Sequence, residues 1–369
     1  MSNLKFKNGK FRILQLTDLQ DTQKTSPDTI NLIYELIDKS KPDLIVLTGD
    51  QVKGYGLNFA IGDNKTNAAM TISNLMKPIA DSKIPFTVVF GNHDSFGTAD
   101  KDFQWSCYNL YDNFIGKDYT FDSIPVYSEK SDDVKFCIYM FDSHEKNKNG
   151  KYIPITDEQL NSYKKVRDNF INKYGHIVHA LAFQHIPPED IYDCFESSNK
   201  KFYKSIQGAG IHSSKYYRLP LYAENKSSFM GENAASPDER GDQVKTLKEK
   251  GDVLGLYFGH DHNNSFIVKH GNLDLGYTQG CGFNIYGPGK NRGGRVFDIY
   301  EENTDRYDTF TITSNDIDNF KIERPIKSFI YTHSPSSVSQ AIKAAKKVGV
   351  ATAFAASVAI AIVKANKKK

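Results

Sequence analysis

Short apolar runs closed by polar turns recur along the chain. Arg12–Thr17, Asp43–Thr48, Phe86–Phe90, Lys135–Phe141, Ile177–Phe183 and Val253–Phe258 are rich in Val, Ile and Leu and predict strands. Helical segments lie between them. Ser26-Pro27 reads as an N-cap followed by a proline at the first helical position, and Ile30, Ile33 and Ile37 then recur at helical spacing. Thr156 with Gln159 has the form of a capping box ahead of Leu160, Tyr163 and Val166. After Gly259 the pattern turns to strands alone: Ser265–Lys269, Leu273–Thr278, Arg295–Tyr300 and Asp308–Thr313. This order predicts an α/β fold with sheets packed face to face and helices outside. The stretch Lys200–Arg240 has no clear periodicity and predicts a long loop on the substrate side.

The residues just beyond the strands carry the chemistry. The first strand ends in Thr17-Asp18-Leu19-Gln20, the second in Gly49-Asp50 and the third in Gly91-Asn92-His93-Asp94. Two later runs end in His185 and in Gly259-His260-Asp261-His262. Ligands of open α/β sheets bind beyond the carboxyl ends of the strands, so five ends would converge Asp, Asn, Gln and His at one place. That inventory suits two divalent metals. Asp18, Gln20, Asp50 and His262 would hold one; Asp50, Asn92, His185 and His260 would hold the other, with Asp50 bridging. Mixed oxygen and nitrogen ligands suit Mn, Fe, Zn or Co better than Ca, and the absence of thiolates argues against a closed structural zinc site. Two metals about 3.5–4 Å apart generate hydroxide at neutral pH and clamp a phosphoryl displacement. Glycines 49, 91 and 259 predict tight turns that aim the following residue at the metals.

In order, Asp18, Gly49-Asp50, Gly91-Asn92-His93-Asp94, His185 and Gly259-His260-Asp261-His262 resemble the five-block signature of calcineurin-like metallophosphoesterases. The resemblance spans roughly Phe11 to Thr313. The segment Gly282–Asp298 is similar to the end of a single-domain subgroup related to purple acid phosphatases. The resemblance implies a four-layer α-β-β-α sandwich, a metal-bridging hydroxide that attacks phosphorus, a bridging role for Asp50, and a phosphate-contacting or leaving-group role for His93. Two positions depart from the pattern. The first block usually reads Asp-x-His, and here Gln20 replaces the histidine; a neutral carbonyl ligand favours a harder ion such as Mn or Mg. Purple acid phosphatases carry a tyrosine three residues after the bridging aspartate, where this chain has Lys53, so no tyrosinate-to-iron colour is expected.

Several residues carry two readings. Asp94 and Asp261 either orient neighbouring histidines or cap loops. Asp142 and His144 either line the substrate pocket or make a strand-end turn. Tyr286, Arg292 and Arg295 either recognise a substrate phosphate or base, or close a glycine-rich loop. His176, His179, His212, His270 and His333 stand outside any motif.

Composition narrows the classes. Hydrophobic residues make up 39% and charged residues 25% of 369, the balance of a soluble globular chain. Four scattered cysteines with no Cys-x-x-Cys pair exclude a disulfide scaffold and a cysteine zinc module, and fit a reducing compartment. The formal charge of +3 conceals a split. Seven lysines and no acid follow Tyr331; without them 40 of the 47 basic residues face 44 acidic ones, about −4. A mildly acidic body argues against duplex nucleic acid as a partner, and so against a nuclease. Met1–Gly9 is polar and predicts no signal peptide, hence a cytoplasmic chain. Composition divides a phosphoesterase domain, 1–330, from a basic and apolar tail, 331–369. In that tail Ser336–Lys347 predicts an amphipathic helix, and Val348–Val363 is uncharged before four closing lysines. The apolar stretch would span roughly 24 Å against a ~30 Å hydrocarbon core, so it reads as a weak membrane anchor or as an alanine-rich helix packed on the domain. The function expected is dimetal hydrolysis of a phosphate monoester or diester. The competing class is a binding or scaffold protein on the same fold, for which Gln20 is the support.

Overall fold

The computed structural model describes residues 3–56, 61–95, 99–144 and 146–334. Two main sheets carry the fold. The five-stranded one runs, edge to edge, through Asn303–Thr313, Gly293–Tyr300, Lys10–Leu16, Leu44–Thr48 and Phe86–Val89. The last three of these strands are parallel. The eight-stranded one runs through Leu4–Lys5, Phe121–Tyr127, Val134–Phe141, His179–Phe183, Val253–Phe258, Leu273–Tyr277, Asn264–His270 and Phe229–Met230. Its four consecutive strands from Val134–Phe141 to Leu273–Tyr277 are parallel. Parallel strands need both faces covered, which is why their sequences read as continuous apolar runs.

Alternation of side chains then produces three apolar layers. Phe11, Ile13, Leu44, Val46 and Val89 of the smaller sheet meet Phe136, Ile138, Leu181, Phe183 and Tyr257 of the larger one. Leu14, Leu16, Ile45 and Leu47 point the other way, onto Leu32, Ile33 and Leu36 of the helix Pro27–Ser40 and Ile72, Leu75 and Met76 of the helix Asn64–Ser82. On the far side of the larger sheet, Tyr139, Phe141, Leu256 and Phe258 pack with Leu160 and Tyr163 of the helix Asp157–Tyr174 and Val244 and Leu247 of the helix Gln243–Lys250. The four layers expected from the sequence are therefore present. All four cysteines are free and buried.

Local signals were realised unevenly. Pro27 opens its helix, but the Ser26 side chain makes no cap hydrogen bond; the Ser26 N–H instead donates to Asp21 Oδ2 at 3.1 Å. The capping box at Thr156 and Gln159 forms in both directions. Lys200–Arg240 is not one irregular loop. Ile206–Gln207 and Tyr216–Arg218 build a small antiparallel sheet with Glu196–Ser198, and Phe229–Met230 pairs with Asn264–His270. The strand Phe121–Tyr127 was absent from the sequence expectation.

The last described helix, Pro325–Thr332, crosses the 330/331 boundary drawn from composition. The expected helix 336–347 and the apolar stretch 348–363 lie outside the described residues. Among the described residues no helix is long and apolar enough to cross a membrane.

Gln159 joins the helical layer to the sheet. Its Oε1 accepts from Thr156 N at 3.1 Å, and its Nε2 donates to the carbonyls of Thr120 at 2.6 Å and Asp142 at 2.9 Å. Gln159→Ala removes half the capping box and strands two carbonyls at the base of the helix. The expected loss is about 2–4 kcal/mol, read as a lower urea midpoint at unchanged slope. A loss below about 0.5 kcal/mol would show that water replaces the side chain without cost.

Candidate metal centre

The carboxyl ends of strands from both sheets meet at one edge of the sandwich. Lys10–Leu16 delivers Asp18 and Gln20, Leu44–Thr48 delivers Asp50, and Phe86–Val89 delivers Asn92 and His93. From the larger sheet, His179–Phe183 delivers His185, and Val253–Phe258 delivers His260 and His262. Asp18, Gln20, Asp50 and His260 all take the left-handed backbone region, with φ of 52°, 36°, 55° and 74°. Non-glycine residues adopt that region only where the surroundings impose it.

Two overlapping groups of ligand atoms result. Asp50, His185 and His260 each place one within 4.8 Å of the others, and so do Asp18, Asp50 and His262. Asp50 belongs to both. Its Oδ2 lies 3.4 Å from His185 Nε2 and 4.0 Å from His93 Nε2, while Oδ1 accepts from His93 N at 2.8 Å. His260 Nδ1 is 3.3 Å from His185 Nε2, and His262 Nε2 is 3.2 Å from Asp18 Oδ1. Burial alone would raise the Asp50 carboxyl, but His185, His93 and His260 hold it well below the usual carboxylate range. Burial would likewise lower His185, but Asp50 and Asp18 push it up to about 10. Burial and the neighbouring imidazoles lower His260 and His93, so the carboxylates draw positive charge to His185 and not to every ring of the cluster.

The donor set fits a cation. His185 Nδ1 lies 2.8 Å from Thr48 O, and His262 Nδ1 lies 2.8 Å from Tyr286 O. A carbonyl only accepts, so a proton sits on each Nδ1, and a metal that displaced the second proton would find Nε2 as its ligand atom. Asp18 Oδ1, Gln20 Oε1 and Asn92 Oδ1 are buried oxygens without a hydrogen-bond donor among the described residues. Unpaired buried acceptors are costly, and three in one place with two imidazole lone pairs match the demands of divalent metals. Gln20 departs from simple ligation in one respect: its Nε2 donates to Asp50 Oδ2 at 2.5 Å. A third group, Asp190, Asp193 and His270, already has cationic side chains against it. Arg240 Nη1 reaches Asp193 Oδ2 at 2.7 Å, and Lys248 Nζ lies 3.1 Å from His270 Nδ1.

The glycines act by close approach as much as by turn geometry. Of the three, Gly49 alone has a positive φ, and a Cβ there would come within 2.5 Å of His185 Nδ1. A Cβ on Gly91 would strike Asp50, and one on Gly259 would strike Thr17 and Asp18. Asp94 caps loops: it accepts from the N–H groups of Asp50, Val52 and Gly91 at 2.7–2.8 Å. Asp261 accepts from Tyr277 Oη at 2.5 Å and Ala235 N at 3.0 Å. Asp142 and His144 make a strand-end turn, with Asp142 held by Lys101 Nζ at 2.8 Å.

Tyr286 separates from its two arginines. Its ring stacks on His262, centroids 4.2 Å apart and planes 10° apart. Arg292 is fully buried with no acidic partner among the described residues; burial pushes it down to about 10, and it donates to the carbonyls of Gly282 and Ile285. Arg295 donates to Tyr277 O at 3.0 Å. Both arginines close the loop, and Tyr286 is the wall of the site. Lys53 turns toward the helix Pro325–Thr332, its Nζ 2.9 Å from Asn284 O and 5.0 Å from the Tyr331 ring centroid. Three residues absent from the expectation also border the centre. Tyr55 lies against His93, Tyr152 against His260, and Glu232 Oε2 lies 3.2 Å from the Tyr286 hydroxyl. Tyr152 had one usable signal, a place in the loop after a strand; Glu232 had none.

The model of the calcineurin-like phosphoesterase family matches residues 11–264. The yeast (Saccharomyces cerevisiae) protein Phosphatase DCR2 is 25% identical over 295 residues, covering 71% of this chain and 45% of that protein. This chain therefore spans less than half the length of that relative. Probable inactive purple acid phosphatase 14 of Arabidopsis thaliana is 25% identical over 319 residues, covering 76% and 72%. Among solved structures, a dimetal phosphatase from Danio rerio superposes with a TM-score of 0.50 at 11% identity, covering 82% of this chain and 99% of that one. GAP50, the anchor in the inner membrane complex of Plasmodium, has the same TM-score at 14% identity, covering 86% and 87%. With five strand ends converging on the overlapping groups around Asp50, and the family match running across them, the chain belongs to the calcineurin-like phosphoesterase family.

Proposed function

We propose that this chain hydrolyses a phosphate ester at a two-metal centre. The observation that carries the reading is Asp50, one buried carboxylate shared by two ligand groups. Asp18, Gln20, Asp50 and His262 would hold one divalent ion; Asp50, Asn92, His185 and His260 would hold the other. Such ions, when bound, ionise water at neutral pH and neutralise the charge of the phosphate. The chain's own residues do the rest. His93, with 29% of its side chain exposed where Asp50 has 1%, faces the opening and donates to a phosphate oxygen or to the leaving oxygen. Asp94 fixes the Asp50 and Gly91 loops so that these distances persist. Mn, Fe, Zn and Mg all suit this ligand set.

One observation favours a catalytically weak binding or scaffold protein instead: the Gln20 amide nitrogen donates to Asp50, the residue that both ligand groups share. Relatives named probable inactive purple acid phosphatases agree with that reading. A membrane contact through residues 331–369 is a separate part of the proposal, and it rests on composition alone.

Asp50→Asn should reduce turnover of para-nitrophenyl phosphate at least about 1,000-fold and lower the bound metal from two ions to one or none by elemental analysis. Retained metal and turnover would remove Asp50 from the bridging role. Gln20→His separates the two readings. In a working enzyme it should change the order of Mn, Zn, Mg, Co and Fe added singly to stripped protein, while the wild type already turns over. A wild type inert with every metal, and a variant that gains activity, would establish the scaffold reading.

A further inference from the structure

The segment between the strand Val134–Phe141 and the helix Asp157–Tyr174 leaves the carboxyl end of its strand, as the metal-site loops do. It brings Tyr152 to the edge of the centre. The Tyr152 ring meets the His260 imidazole edge-on, with centroids 5.0 Å apart and planes at 90°. Packing uses the ring and leaves the hydroxyl over. That oxygen is not among the sealed, unpaired atoms, and it bonds to no protein atom among the described residues. Lys146, on the same segment, stands over the Tyr152 ring with Nζ 4.9 Å from its centroid. It forms no ion pair with an acid among the described residues. A neutral donor and an ammonium with no acidic partner among the described residues thus sit together beside a centre built from imidazoles and carboxylates. A tyrosine that only braced His260 would need no hydroxyl, and a lysine that only aided solubility would need no ring beneath it.

We propose that Tyr152 and Lys146 form a subsite for the substrate phosphate, the hydroxyl donating to a non-bridging oxygen and the ammonium facing the second negative charge of a monoester. The proposal rests on the phosphoesterase reading of the adjoining centre and narrows its substrate class. A monoester phosphate carries between one and two negative charges at neutral pH and three free oxygens. A diester carries one charge and two free oxygens. An extra donor and an extra cation therefore favour the monoester.

The test uses full-length, metal-loaded wild type, Tyr152→Phe and Lys146→Met. Inorganic phosphate is titrated calorimetrically into each, and rates are measured on para-nitrophenyl phosphate and its bis-ester. Tyr152→Phe should weaken phosphate about tenfold and Lys146→Met severalfold. Both should lower the ratio of monoester to diester rates, with metal content unchanged. Phosphate affinity within twofold of wild type in both variants overturns the subsite. So does a wild type that binds no phosphate. So does a Tyr152→Phe protein that loses metal in step with phosphate, because the hydroxyl then supports the metal centre and does not bind the phosphate directly. If the wild type hydrolyses neither ester, the phosphoesterase reading fails on its own, and the phosphate titration still decides the subsite.

Discussion

The ionised carboxylate of Asp50, buried to 1% exposure, governs the arrangement of everything around it. Moving an unpaired carboxylate out of water costs several kcal/mol even after relaxation. Here His93 N, Gln20 Nε2 and the His185 imidazole surround it. They can approach only because other atoms are missing. Gly91 must lack a side chain because Asp50 lies where its Cβ would be, and Gly49 must lack one because of His185. The Gly-Asp and Gly-Asn-His-Asp blocks thus follow from the packing demands of one charge.

Holding that charge strains the backbone. Four non-glycine residues of the site lie in the left-handed region, at roughly 1–3 kcal/mol each. The loops offset this by lashing themselves together. Asp18 N donates to Gly49 O at 3.0 Å, Gln20 N to Asp50 O at 2.8 Å, and Gly282 N to Asp18 O at 3.1 Å. Asp18 Oδ2 accepts from His260 N at 2.9 Å and so ties the smaller sheet to the larger. The site therefore inherits the rigidity of two stacked sheets, and positions are set by the sandwich rather than by any one loop.

Most of this was legible in the sequence because two signals coincide: continuous apolar runs and a ligand-type residue just beyond each. Where one signal fails, the reading fails. Phe121–Tyr127 alternates in burial, yet buried Asp122 and the internal Pro125 mask the alternation. Lys200–Arg240 is held by strands of two or three residues, too short for any period to register. Glu232 comes from that stretch, and its place beside Tyr286 depends on long-range pairing of Phe229–Met230 with Asn264–His270. Tyr286 was read with Arg292 and Arg295 as one unit. Proximity in sequence said nothing about the two arginines turning inward onto carbonyls while the ring turned outward onto His262.

Gln20 shows how magnitudes decide between the two functional readings. An imidazole at this place would offer one lone pair. The amide offers an oxygen without a donor and an N–H directed at Asp50. A hydrogen bond to a charged group contributes about 1.5–3 kcal/mol net. Apparent binding free energies of structural zinc in zinc-finger peptides run to about 10–16 kcal/mol. Against an ion bound that tightly, the amide bond to Asp50 would be too weak to exclude it from the shared carboxylate. It is strong enough to lower the affinity by roughly ten- to a hundredfold, since each 1.4 kcal/mol is a factor of ten. On the two-metal proposal Gln20 would tune how readily the site loads. The two-metal proposal draws on Asp18, Asp50, Asn92, His185, His260 and His262, which all stand at the ends of their strands.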